Sequence, residues 1–107
     1  MKDEVEVYRE HEGTIRVAGH TQPRDIARCA LKLLENAIDP EFLYIGGNAG
    51  QQAMKAMTIM RYQLESSMEN WEISFSPFRV RLSVVDSDGG LSFKDGSVWK
   101  LKIWSHE

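Results

Sequence analysis

Phe42-Leu43-Tyr44-Ile45-Gly46-Gly47-Asn48-Ala49-Gly50-Gln51-Gln52-Ala53-Met54-Lys55-Ala56-Met57-Thr58-Ile59-Met60-Arg61-Tyr62-Gln63-Leu64 changes its periodicity partway along, and that change decides the fold class. Phe42 to Ile45 is a nearly continuous apolar run, as expected of a strand buried on both faces, and Gly46-Gly47 ends it. From Gly50 to Leu64 the spacing is helical. Ala53, Met57, Met60 and Leu64 form one stripe, while Gln51, Lys55, Thr58, Tyr62 and Glu65 fall on the other side. A strand that runs straight into an amphipathic helix is the unit from which sheets with a helical layer are built.

Upstream, Thr14-Ile15-Arg16-Val17-Ala18 is a short β-type run closed by Gly19. Thr21 and Pro23 mark a helix start, since a hydroxyl can accept an orphan backbone N–H and proline suits the first turn. Ile26, Ala30, Leu33, Leu34 and Ala37 recur at helical spacing, and the helix is expected to end near Asp39-Pro40. Cys29, inside this apolar pattern, reads as a buried thiol.

Downstream the period becomes two. Trp71, Ile73 and Phe75 alternate, and beyond Pro77 the apolar set moves to Phe78, Val80, Leu82 and Val84, so a bulge or bend is expected near Ser76-Pro77. Asp86-Ser87-Asp88-Gly89-Gly90 is rich in turn formers, Lys94-Asp95-Gly96 repeats the turn signal, and Val98 to Trp104 alternates as the last strand. The predicted order is β-α-β-α-β-β in the α/β (α+β) class: a four-stranded mixed sheet with both helices on one face.

A chain of 107 residues accommodates one core, so a single domain is expected over residues 14–107. No run approaches a membrane span and the acidic start does not resemble a signal peptide, which points to a cytoplasmic protein. One cysteine excludes an internal disulfide framework and a cysteine-rich zinc site. The net charge is −3, and residues 1–13, with five acids against two bases, account for all of it. This acidic arm reads as a solvated tail, as an edge strand using Val5 and Val7, or as a segment that competes with nucleic acid for a basic surface.

Within the opening stretch, Ile45, Gly46, Ala49, Gln52, Ala53, Lys55, Ala56, Ile59 and Arg61 coincide with the signature of a known family. The segment resembles the stage V sporulation protein S family, whose pattern is roughly A-I-G-A-G-A-x-N-Q-A-x-K-A-x-A-I-A-R. Val17, Pro23, Ala27 and Leu34 are similar to that family's first strand and helix, and Lys100-Leu101 to its terminal K-L, so the resemblance spans about Thr14 to Trp104. It implies an Alba-like fold, a homodimer, and a superfamily whose better-understood members bind DNA or RNA. The chain departs from the family at His20, where lysine is common, and in the longer section from Trp71 to Gly96. The hairpin tip also carries Asp86, Asp88 and Asp95 against Lys94.

The candidate nucleic-acid contacts fall in two groups. His20 and Thr21 follow the first strand, and Asn48, Gln51 and Lys55 open the second helix, where backbone N–H groups can receive an anion. Arg79 and Arg81 share one strand face, and Lys100 and Lys102 share one face of its partner. If Phe78, Val80 and Leu82 face the same core as Trp99, Leu101 and Ile103, all four cations lie together on the open side of the sheet. Trp104 or Tyr8 is then available to stack on bases. The ordinary reading of those charges is a solvated sheet face, and of Trp71, Trp99 and Trp104 a core or interface role. The glycine loop lacks G-x-G-x-x-G and a P-loop lysine, so no nucleotide cofactor is expected. His11, His20 and His106 have no local ligand partners, and no nucleophile elbow or paired carboxylate appears, so no enzyme is expected. The sequence thus predicts a sequence-tolerant nucleic-acid-binding regulatory homodimer. The alternative is a protein-interaction module that keeps the fold without binding nucleic acid.

Overall fold

The computed structural model describes residues 7–67 and 71–105. Six elements follow in the expected order: β1 (Thr14–Arg16), α1 (Pro23–Glu35), β2 (Glu41–Tyr44), α2 (Gly47–Ser67), β3 (Trp71–Val85) and β4 (Leu91–Ser105). They build a four-stranded mixed sheet in the order β1-β2-β4-β3. β1 and β2 are parallel, joined by the α1 crossover that parallel pairing requires, and the other pairs are antiparallel.

Both helices cover one face, called here the helix side. Ile15, Val17 and Phe42 from the first two strands pack there with Ile26, Ala27 and Ala30 of α1 and Ala49, Ala53, Ala56, Met57 and Met60 of α2, with Phe75 and Trp99 at the margin. Alanines dominate the α2 stripe because a short side chain lets the helix backbone lie close to sheet and neighbouring helix. β2 is buried on both faces, as its apolar run predicts: Phe42 faces the helices, while Leu43 faces a second cluster with Val80 and Val98 on the reverse face.

The helix boundaries differ from the sequence reading in instructive ways. Pro23 does open α1, but Gln22 holds the cap position without a side-chain bond. The Thr21 hydroxyl instead accepts the Ala18 N–H at 3.0 Å, closing the turn after β1. At the other end α1 stops at Glu35. Ala37 lies beyond it at φ +59, with its N–H on Leu34 and the Ile38 N–H on Leu33. This left-handed closure turns Ala37 out to solvent, so it does not belong to the buried stripe. Cys29 is exposed rather than buried. At ~100° per residue it sits about 100° from the centre of the arc formed by Ile26, Ala27 and Ala30. α2 begins three residues before the expected Gly50: Gly46, at φ +88, makes the turn, and its carbonyl accepts the Gly50 N–H at 3.1 Å.

The β3–β4 hairpin contains no bulge, and there is no second turn at Lys94-Asp95-Gly96: β4 begins at Leu91 rather than Val98, and these three residues pair with Leu82, Arg81 and Val80 in the ladder. The register runs unbroken from Trp71↔Ser105 to Val85↔Leu91, through Pro77↔Trp99. The apolar phase shifts at Pro77 because the core changes side. Ile73 is fully buried and Phe75 packs under the helices, whereas Val80 and Leu82, in the other phase, pack on the reverse face. The hairpin tip reaches past the helices, and the radius of gyration, 15.2 Å, exceeds the ~13 Å of a compact chain this long. Among the described residues, no helix is long and apolar enough to cross a membrane.

Candidate functional site

The end of the sheet nearest the hairpin tip gathers the first group of candidates. Parallel β1 and β2 both finish here and α2 starts here, which leaves a crevice lined by Arg16, Gly19, Ile45, Gly46, Asn48 and Leu82. The loop after β1 rests on the first turn of α2. A side chain at Gly19 would meet the Asn48 Cβ at 3.0 Å, and Gln52 donates from Nε2 to the Gly19 carbonyl at 3.1 Å. His20, Asn48, Gln51 and Lys55 are all exposed, His20 on the loop and the others along the first three turns of α2. Thr21 is in the same loop, but its hydroxyl is committed to the Ala18 N–H. Gln52, which the spacing assigned to no site, joins loop and helix; its Oε1 is buried without a hydrogen-bond partner.

The second group of candidates does not lie together. Arg79 and Arg81 stand opposite Ser97 and Asp95, in phase with Phe75 and Trp99, and so belong to the helix side of the hairpin. Lys100 and Lys102 stand opposite Ser76 and Ser74, in phase with Val80, and so belong to the reverse face. A bulge at Pro77 would have brought all four to one face; the continuous register separates them. On the helix side Arg79 pairs with Asp95 at 3.4 Å, and the Arg81 guanidinium lies 5.7 Å from the centroid of the Phe93 ring. On the reverse face the Lys100 ammonium lies 4.8 Å from the centroid of Phe78. The side chains of Trp71 and Trp104 lie outside the described residues, as do residues 1–6 and His106.

The described part of the arm, residues 7–13, is tied to the reverse face. Val7 forms a parallel bridge with Arg81, and the Tyr8 N–H donates to the Arg81 carbonyl at 2.8 Å. Tyr8, like Leu82, packs against the cluster of Leu43, Val80 and Val98. Its hydroxyl donates to Glu41 Oε1 at 3.0 Å and meets Thr14 Oγ1 at 2.6 Å, so one residue links β3 to β1 and β2. Burial, with the Glu41 carboxylate adding to it against the opposing Thr14 bond, pushes the Tyr8 phenol up to about 12. His11 Nδ1 accepts the Gly13 N–H at 3.0 Å and Nε2 lies 3.1 Å from Glu41 Oε1. Glu10 clamps Arg16 through two 2.6 Å bonds, which hold its carboxyl below the usual range. Tyr8 is therefore a packing residue with a bonded hydroxyl, not a free stacking surface. Sequence reading also passed over Phe93, whose exposure beside Arg81 depends on how far the hairpin outruns the helices.

Among the described residues, no three histidine, cysteine, aspartate or glutamate side chains come together as a metal site. Comparison with protein-family models and with curated proteins gave no match to this chain.

Proposed function

We propose that this chain is a non-enzymatic, cytoplasmic nucleic-acid-binding domain that acts as a homodimer and contacts phosphates without strong sequence preference. The observation that carries the reading is the helix side of the tip-ward end, where Arg79, Arg81 and the exposed Phe93 ring share a face with the α2 start. Guanidinium groups neutralise phosphates, an exposed ring accepts a stacked base, and the first turn of a helix offers N–H groups to an anion. His20, Asn48, Gln51 and Lys55 extend that surface, and the resemblance to the stage V sporulation protein S family and its Alba-like relatives points the same way. Lys100 and Lys102, on the reverse face, are not part of the primary contact. The test is fluorescence anisotropy of labelled single- and double-stranded DNA and RNA at low and at physiological salt. Ionic contacts predict affinity that falls steeply with salt, and no binding at low salt would remove the proposal.

One observation favours the second reading, a protein-interaction module. Val85, Leu91 and Phe93 are 69%, 72% and 56% exposed on the helix side of the hairpin, and Asp86 and Asp88 lie in the turn. An apolar patch beside acids suits a protein partner better than a phosphate backbone. A protein complex that survives high salt, together with no nucleic-acid binding, would establish that reading instead.

A further inference from the structure

Arg24, Arg28 and Lys32 recur at every fourth residue of α1 and so form one exposed stripe along that helix. The stripe borders a groove of about 540 Å³ between α1 and α2, whose walls also include Ala27, Leu31 and Ile59. Ala27 belongs to the buried core and Leu31 and Ile59 pack against it, which gives the groove an apolar floor. Two acids of α1 accompany the stripe: Asp25 pairs with Arg28 at 3.6 Å, both side chains more than half exposed, and Glu35 lines the groove. Among the described residues, neither Arg24 nor Lys32 takes part in an ion pair. The groove is thus positive on a chain whose net charge is −3. Arg24 follows the loop of His20 and Thr21 into α1, and Lys55 stands one turn before Ile59 on α2, so one end of the groove adjoins the first group of candidates. Toward the other end, a hollow bounded by Leu31, Leu34, Glu35 and Leu64 carries Tyr62, which is 76% exposed.

We propose that this groove is a binding track for single-stranded nucleic acid, with the phosphate backbone along Arg24, Arg28 and Lys32 and a base stacked on Tyr62. The inference rests on the nucleic-acid reading and extends it from the hairpin to the helical layer. Successive residues of the stripe are ~6 Å apart along the helix axis, a step comparable to that between neighbouring phosphates of one strand. A cationic groove that follows the backbone, with an aromatic ring to stack on, holds single strands without regard to sequence. A duplex is too wide to enter the space between two packed helices, whose axes lie ~8–10 Å apart, and its bases are already stacked on one another. It meets the cations of the rim and neither the floor nor Tyr62. An acidic peptide would satisfy the cations equally; the exposed ring and the continuity with Lys55 favour a nucleic-acid strand.

The experiment is fluorescence anisotropy of labelled oligothymidylate and of a labelled mixed-sequence duplex, in salt titrations with the full chain. Arg24→Gln, Arg28→Gln and Lys32→Gln combined are expected to weaken oligothymidylate binding by about tenfold or more and to lower its salt slope by about two, at roughly 0.7 per phosphate contact on a single strand. Duplex binding is expected to change by less than about threefold, because its phosphates meet the rim alone. Tyr62→Ala is expected to weaken oligothymidylate binding about tenfold with the slope unchanged, since stacking releases no counterions. Should the triple variant fail to fold, which circular dichroism reads, Arg24→Gln and Lys32→Gln are each expected to lower the slope by about 0.7. Unchanged oligothymidylate binding in the triple variant, while Arg79→Glu with Arg81→Glu still weakens it, overturns the track and leaves the proposed function standing. Equal losses for strand and duplex, or displacement of oligothymidylate by polyglutamate as effective as by unlabelled strand, also overturn it. If the wild type binds neither probe at low salt, the proposed function and the track fall together.

Discussion

The guanidinium carbon of Arg81 lies 5.7 Å from the centroid of the Phe93 ring, and both residues sit on the helix side of the projecting hairpin. The ring is more than half exposed, and stacking of a base on such a ring is worth ~1–3 kcal/mol. Phe93→Ala is therefore expected to weaken binding of single-stranded nucleic acid by roughly tenfold, with folding stability unchanged within ~0.5 kcal/mol as at other surface positions. Anisotropy and urea denaturation check the two halves, and unchanged affinity would remove Phe93 from the site.

Ala37 adopts φ +59 immediately after the α1 cap, a conformation in which a Cβ is unfavourable. Ala37→Gly is expected to raise stability by ~0.5–1 kcal/mol, the relief of left-handed strain exceeding the added unfolded-state entropy. A shifted denaturation midpoint at constant slope checks it.

Gly13 and Gly47 should respond in opposite ways to alanine. A Cβ at buried Gly13 runs into the Asp39 carbonyl oxygen, a backbone atom that cannot swing aside, whereas Gly47 faces open space and has no positive φ. Gly13→Ala should cost ~1–3 kcal/mol, as overpacking generally does. Gly47→Ala should leave stability within ~0.5 kcal/mol of wild type. Thermal melts of both proteins make the comparison.

Tyr8 should give the fold an alkaline limit. Its phenol titrates near 10 in the unfolded chain and is pushed up to about 12 in the folded one by burial, so the unfolded state loses its proton first. The stabilisation is complete below pH 10 and is lost as pH rises toward 12. Tyr8→Phe lacks this ionisation and both hydroxyl bonds. Denaturant midpoints followed across that window should show the gap between wild type and Tyr8→Phe narrowing as pH rises; a constant gap would contradict the assignment.

Much of this architecture can be read in the residues. Phe42 and Leu43 mark a strand buried on both faces, although Ile45, which continues the apolar run, lies beyond β2 and is exposed, and Ala53, Met57 and Met60 mark the core side of α2. What misleads is the phase change at Pro77. A bulge under a single core and a straight strand that leaves one core for another shift the apolar set by the same single residue. Only the register separates them, and with it the fate of the four cations. Tyr8 is the hidden cause: a reverse-face cluster around Val80 is stable only if something covers it, and the covering residue belongs to an arm whose charge suggests a tail. Cys29 and Ala37 show the same limit at smaller scale, since helical spacing does not say how wide the buried arc is or where the helix stops.

The most direct test of the central claim compares two double charge reversals, Arg79→Glu with Arg81→Glu and Lys100→Glu with Lys102→Glu, in salt titrations of nucleic-acid binding. The account predicts that the arginine pair, on the helix side, weakens binding to all sequences by more than about tenfold and lowers the salt slope by about two, whereas the lysine pair, on the reverse face, has a much smaller effect. Equal losses from both pairs, or a larger loss from the lysines, would contradict it.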